Sequence, residues 1–339
     1  MSTVEIVAAT RSAAGLFEMV NRGLIEVRGE DRVRWLDGMI SGDVEALVEA
    51  ESGSGCYATL LTHRGAIVAD LHVARIGDVF LLESLRTEIP HILEVLNGFI
   101  IADDVELFDR SEENFVLGLE GPVAPAILDA ALAGSASLPT AENWCEAEIA
   151  NRSVLVGAFG FSGEAGYQLH FEPGARGEIE AALDAAAGAR SIVRGDLAAL
   201  EILRIEAGIP ALGRELDEEV LPPEARLERA IAPDKGCYVG QEIVARLRAR
   251  GQVNHLLVGL KLDAKKLPAE GAELSVDGRK TGEMTSLAQS PSVGLIALGY
   301  VRREHAEPGT RVEFEAGHAS VVELPFVSAS EPVAGTESA

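Results

Sequence analysis

Leu24-Ile25-Glu26-Val27-Arg28-Gly29 reads as an alternating strand that ends on a glycine. Glu30-Asp31 then open a helix that carries Val33, Trp35-Leu36 and Met39-Ile40 on one side. The Gly/Ser-rich turn Gly53-Ser54-Gly55 leads into a strand over Cys56–Leu61, and His63-Arg64-Gly65 make the next turn. A long strand pair covers Ala66–Glu83. Ile89–Phe99 follows as an amphipathic helix, and Asp104–Phe108 as a closing strand. The order is βαββαβ.

The same order recurs downstream. Phe115–Leu119 is a strand, and Pro122 starts a helix over Val123–Ala133. Strands at Trp144–Ile149, Val154–Ala158 and Gly166–Phe171 precede a helix over Glu178–Ala187 and a short strand at Ile192-Val193. Both halves begin with a strand, a glycine and a helix: Val27-Arg28-Gly29 in one, Leu119-Glu120-Gly121 in the other. The fold class expected is α+β, with a duplicated ferredoxin-like unit. Asp196 caps a helix over Leu197–Ala207 that Gly208 ends, and Pro210 to Pro223 make an irregular stretch. From Val253 the pattern becomes short strands separated by Gly, Pro and Asp, as in a small closed β-barrel. The expected domains are 1–110, 111–250 and 251–327, with a disordered tail at 328–339.

The net charge of −25 over 339 residues argues against a nucleic-acid partner, which needs clustered cations. One locally basic stretch stands out, with six cations against three anions between Arg226 and Arg250. It suits a small anionic ligand or a solvated helix face. Cys56, Cys145 and Cys237 are far apart and odd in number, which speaks against a disulfide framework and against a metal site held by this chain alone. No apolar run approaches the roughly 20 residues that span a bilayer, and residues 1–22 lack a signal-peptide core. A cytoplasmic protein is expected.

Phosphate-loop, dinucleotide and nucleophile-elbow motifs are missing from the chain. Three stretches are suggestive. Gly65–Val73 places one carboxylate, Asp70, in an otherwise apolar strand, on the face of Val68 and His72. Such a group suits proton handling or gripping an N–H; a plain edge-strand aspartate is the alternative. Phe161–Tyr167 is a glycine-flanked turn that presents Glu164, and a carboxylate there could accept paired N–H bonds from a flat ring edge. Leu203–Pro210 ends a helix with Arg204 and Glu206 among apolar neighbours.

These segments resemble the family of the glycine-cleavage T-protein (aminomethyltransferase), as do Glu215-Leu216, Gly282–Ser286 and Ile296–Val301. The resemblance implies a tetrahydrofolate-binding fold, with two ferredoxin-like units and a C-terminal barrel around a central pocket. It implies Asp70 as the catalytic carboxylate beside the pterin, Glu164 as its hydrogen-bond acceptor and Arg204 at the pocket side. Tyr167, Lys235 and Arg246 complete the expected ligand set, with Arg246 near the acidic tail of the folate.

Lys235-Gly236-Cys237-Tyr238-Val239-Gly240-Gln241-Glu242 resembles the signature of the YgfZ-type branch of that superfamily. The branch binds folate and assists iron–sulfur enzymes. Cys237, flanked by glycines, is a second candidate for chemistry. Lys235 and the start of the following helix are placed to stabilise negative charge on its sulfur. The expected function is thus a YgfZ-like tetrahydrofolate-binding protein that assists assembly or repair of iron–sulfur enzymes, with those enzymes or assembly factors as partners. The alternatives are a folate-dependent aminomethyltransferase and a non-enzymatic folate-sensing scaffold.

Overall fold

The computed structural model describes residues 1–251 and 253–330. Helix α1 (Thr3–Ser12) and strand β1 (Ala14–Glu18) come first. The first unit follows as β2 (Arg22–Arg28), α2 (Arg32–Met39), α3 (Val44–Glu49), β3 (Gly55–Leu61), β4 (Ile67–Ile76), β5 (Val79–Leu85), α4 (Ile89–Asn97) and β6 (Glu106–Asp109). The second is β7 (Phe115–Glu120), α5 (Ala124–Leu132), β8 (Trp144–Ile149), β9 (Arg152–Gly157), β10 (Gly166–Phe171), α6 (Arg176–Ala187) and β11 (Ile192–Gly195).

The duplication shows in the sheets. The first has the strand order β3-β4-β5-β2-β6, and the second runs β8-β9-β10-β7-β1-β11, the same sequence of equivalents with one strand inserted. That strand, β1, pairs antiparallel with β7 and parallel with β11. Residues 14–18, expected within the first unit, therefore complete the second sheet. The physical reason is burial: Leu16 and Phe17 sit in the cores on either side of that sheet. The glycines of the repeated signature have positive φ, and each has backbone where a side chain would start. A Cβ would lie 2.0 Å from Asp104 O at Gly29 and 2.4 Å from Ala13 O at Gly121.

Helices cover one face of each sheet, with Trp35, Leu36, Ile89 and Ile92 packed on the first and Ile127, Leu128, Ile179 and Leu183 on the second. The uncovered faces meet, and their contact includes Leu24, Ala74 and Leu81 against Trp144 and Phe159. Helix α7 (Leu197–Ala207) is capped by the Asp196 side chain, which accepts from Ala199 N at 2.8 Å, and ends at left-handed Gly208. Helix α8 (Gln241–Arg250) begins after Gly240. The barrel then closes in the order β12 (His255–Asp263), β15 (Gly294–Arg302), β14 (Arg279–Ser290), β13 (Glu273–Val276), β16 (Arg311–Phe314), β17 (Gly317–Val322). Ile205 of α7 packs against Leu257, Ile296 and Leu298 of the barrel.

The C-terminal segment does not leave the body at residue 328 as expected. Val327 N donates to Glu206 O at 3.2 Å and Ser330 N to Glu164 Oε2 at 2.8 Å. The rest of the expected tail, 331–339, lies outside the described residues, as do the side chains of Arg248 and Arg250. No described helix is long and apolar enough to cross a membrane.

Candidate functional site

The face of the first sheet that meets the second unit carries a polar row. Strand alternation puts Asp70 and His72 of β4 on that face, and the register sets Tyr57 and Glu83 on either side of His72. The Tyr57 hydroxyl donates to Asp70 Oδ2 at 3.0 Å. Burial and the Asp70 charge hold the Tyr57 phenol well above its usual range, so it remains a donor. Beside them Arg22 grips Glu83 bidentately at 2.5 and 2.6 Å. Burial works against the Arg22 charge, but Glu83 outweighs it and raises the guanidinium further.

A cavity of about 960 Å³ opens over this row, between the two units and the barrel. Asp70 and Arg22 contribute from the first unit, Phe161, Leu200 and Arg204 from the second, and Met284 from the barrel. Met19, Leu85, Leu197 and Leu212 add apolar lining. Asp70 is only 8% exposed, and its Oδ1 accepts no hydrogen bond among the described residues.

The other expected site residues are distributed differently. Arg204 reaches the cavity, but its guanidinium is a structural hub: it binds Glu201 at 2.7 and 2.8 Å, Glu215 at 3.0 Å and Ser286 Oγ at 2.8 Å. Glu164 does not line the cavity. It turns the other way and accepts from Arg11 Nη1 at 2.8 Å, while Arg11 also binds Glu206 at 2.9 Å. With Ser330 on the same carboxylate, the group ties α1, α7 and the C-terminal segment together. Tyr167 is buried in the core of the second unit.

Lys235, Cys237 and Arg246 do not line the cavity either. The Lys235 ammonium, with its side chain 1% exposed, sits among Asp37 O, Asp37 Oδ1, Ile40 O and Gly42 O. Its three protons are spent on that oxygen cage, so it serves the loop as an anchor to the first unit and not the Cys237 sulfur as a counter-charge. Val239 N→Gly38 O and Ala232 N→Ser41 O strap both flanks of the loop. Cys237 is exposed at its crest. Arg246 lies on the surface of α8, paired with Glu242 at 2.6 Å.

Residue patterns missed a second, smaller chamber of about 110 Å³, which shares Asp70, Phe161 and Pro210 with the large one. Its remaining walls include Tyr57, His72, Glu142, Phe159 and Arg229. His72 stacks on Phe159 at 3.7 Å and its Nδ1 is 2.9 Å from Glu142 Oε2. Burial alone would raise the Glu142 carboxyl, but the His72 hydrogen bond and charge bring it below its usual range. The placement of His72 beside Asp70 was readable from strand alternation. Glu142 and Arg229 come from distant loops and left no local signal.

Residues 2–235 match the GCVT N-terminal domain family, and residues 256–328 match the glycine cleavage T-protein C-terminal barrel domain. The chain belongs to the glycine-cleavage T-protein family. An aminomethyltransferase of Rubrobacter xylanophilus is 32% identical over 322 residues, covering 94% of this chain and 84% of that protein. An aminomethyltransferase of Bacillus subtilis is 30% identical, covering 94% and 89%. The solved structure of glycine cleavage system aminomethyltransferase T from Bartonella henselae superposes with a TM-score of 0.84 at 26% identity, covering 98% and 90%. The expected T-protein-like architecture of two related α+β units and a closed barrel therefore holds.

Proposed function

We propose that this chain binds a tetrahydrofolate in the large cavity and acts in the cytoplasm as a folate-dependent aminomethyltransferase. The observation that carries the reading is Asp70, a nearly buried carboxylate on the cavity wall, with one oxygen held by Tyr57 and the other without a donor among the described residues. The residues present fit the ligand. A cavity of about 960 Å³ is at the upper end of the range for organic ligands, apolar walls suit a flat ring, and Asp70 Oδ1 can accept a ring N–H. Relatives named aminomethyltransferase at 30–32% identity over 94% of the chain support the same reading.

A bound tetrahydrofolate supplies the secondary amine that takes up the carbon. Asp70 orients that amine and can hold the proton it sheds, Tyr57 keeps the carboxylate aimed, and Phe161, Met19 and Leu200 exclude water. Calorimetric titration with tetrahydrofolate, followed by a turnover assay with an aminomethyl-lipoyl carrier protein, tests this. Saturable binding and turnover that falls about 10²-fold or more in Asp70→Asn are expected. No saturable binding at all refutes the proposal.

The exposed thiol of Cys237, on a loop strapped to the body, favours a second reading. In it the chain is a YgfZ-type folate-binding protein that assists iron–sulfur enzymes, or a folate-sensing scaffold that docks them. That reading requires folate binding without turnover. A Cys237→Ser variant that fully restores iron–sulfur enzyme activity in a deletion strain excludes a role for the thiol.

A further inference from the structure

The small chamber behind Asp70 has a charge layout of its own. At its outer end the Arg229 guanidinium lies 4.6 Å above the Tyr57 ring, and its side chain is 59% exposed. Its contact with Glu142 is 3.6 Å, too long for a hydrogen bond, and it makes none among the described residues. At the inner end Asp70 uses Oδ2 for Tyr57 and leaves Oδ1 without a donor. Glu142 commits Oε2 to His72. The chamber therefore presents one cation with open N–H donors at its mouth, with Glu142 Oε1 3.6 Å from it, and the open Asp70 oxygen at the other end, with the Tyr57 phenol between the two ends. Phe159 and Phe161 form apolar side walls.

An isolated anion in this space would face Asp70 and Glu142, and an isolated ammonium would face Arg229. A molecule with both charges satisfies both ends. From these features we infer that the chamber binds a small amino-acid zwitterion, its carboxylate on Arg229 and its ammonium on Asp70. At about 110 Å³ the space holds about four separate water-sized groups at ~30 Å³ each, and covalently bonded atoms take less room apiece than separate waters. Glycine is of that size. The site needs no folate, and it stands beyond the transferase reading. The shared wall of Asp70, Phe161 and Pro210 would put the two ligands on opposite sides of one carboxylate.

The test titrates glycine, acetate and methylammonium into folate-free protein, with binding followed by NMR line shape or calorimetry. Glycine is expected to bind saturably, and acetate and methylammonium at least about tenfold more weakly, because each satisfies one end. Arg229→Gln is expected to weaken glycine about tenfold or more, while methylammonium, relieved of a like charge, should bind no more weakly than before. Arg229→Lys keeps the charge without the planar fork, so its affinity should fall between the two. Glycine binding no tighter than acetate, or wild-type glycine affinity in both Arg229 variants, overturns the inference. Tetrahydrofolate titrated into the same samples separates the outcomes, since folate binding without glycine binding removes this site and leaves the transferase reading standing.

Discussion

The Tyr57 hydroxyl donates to Asp70 Oδ2 at 3.0 Å, across adjacent strands of the first sheet. A tyrosine held protonated by burial and by the Asp70 charge can only donate to that carboxylate, so it fixes the orientation of a group that lines both cavities. Tyr57→Phe removes the aiming bond and keeps the ring. Carbon transfer is expected to slow about tenfold or more, the usual worth of a hydrogen bond to a charged group, with the thermal midpoint nearly unchanged. Steady-state kinetics beside a melt decide this; an unaltered kcat would show that Asp70 holds its position without help.

Glu164 provides the sharpest contrast with the resemblance, which placed it on the pterin. It is buried against Arg11 and Ser330, and Arg11 also holds Glu206. Arg11→Met strands two buried carboxylates and should destabilise the protein by about 3 kcal/mol, seen as a lower midpoint in denaturant. Tetrahydrofolate affinity per folded molecule should not change. A folate affinity that collapses while stability holds would return Glu164 to the ligand.

Much of this fold was readable one element at a time. Leu197–Ala207 has its cap, its apolar face and its terminating glycine all within 13 residues, and the barrel strands are runs of 4 to 12 residues. Asp70 announced itself as a lone carboxylate in an apolar strand, and alternation supplied His72. Lys235 and Glu164 were less legible because both are charged residues next to glycines, a pattern shared by ligand sites and internal ties. Only the fold decides which way such a side chain turns. Arg229 and Glu142 meet Asp70 from the far side of the chain, with no spacing that records it.

The three thiols should react at separate rates. Cys237 is exposed, whereas burial, with the Glu142 charge adding to it, pushes the Cys56 thiol up to about 12. Burial also raises Cys145. At pH 8 a thiol reagent should label one site quickly, and Cys237→Ser should abolish that fast phase. Two equal fast phases would contradict the burial of Cys56.

His170 predicts the acid behaviour. Burial, with the charges of Arg22 and His72 adding to it, pushes its imidazole down to about 3. Below its unfolded value of about 6.5 the unfolded chain takes a proton that the folded one refuses, so stability falls as pH drops from there toward 3. The slope contributed is about 1 kcal/mol per pH unit over that window. His170→Gln should flatten the pH dependence of unfolding between pH 6 and 4. An unchanged slope would mean that His170 is charged in the fold.

The inserted strand β1 has a consequence for biosynthesis. Its residues pair with β11, roughly 180 positions further on, and Leu16 and Phe17 have no finished sheet to enter until β11 exists. At ~5–20 residues per second on the ribosome, that wait is on the order of 10–40 s. Both edges of this apolar strand are open until β7, about 100 residues on, is made, and one edge stays open until β11. The first β-strand synthesised completes its pairing only when the last strand of its sheet arrives, which leaves residues 14–18 within reach of a chaperone until then.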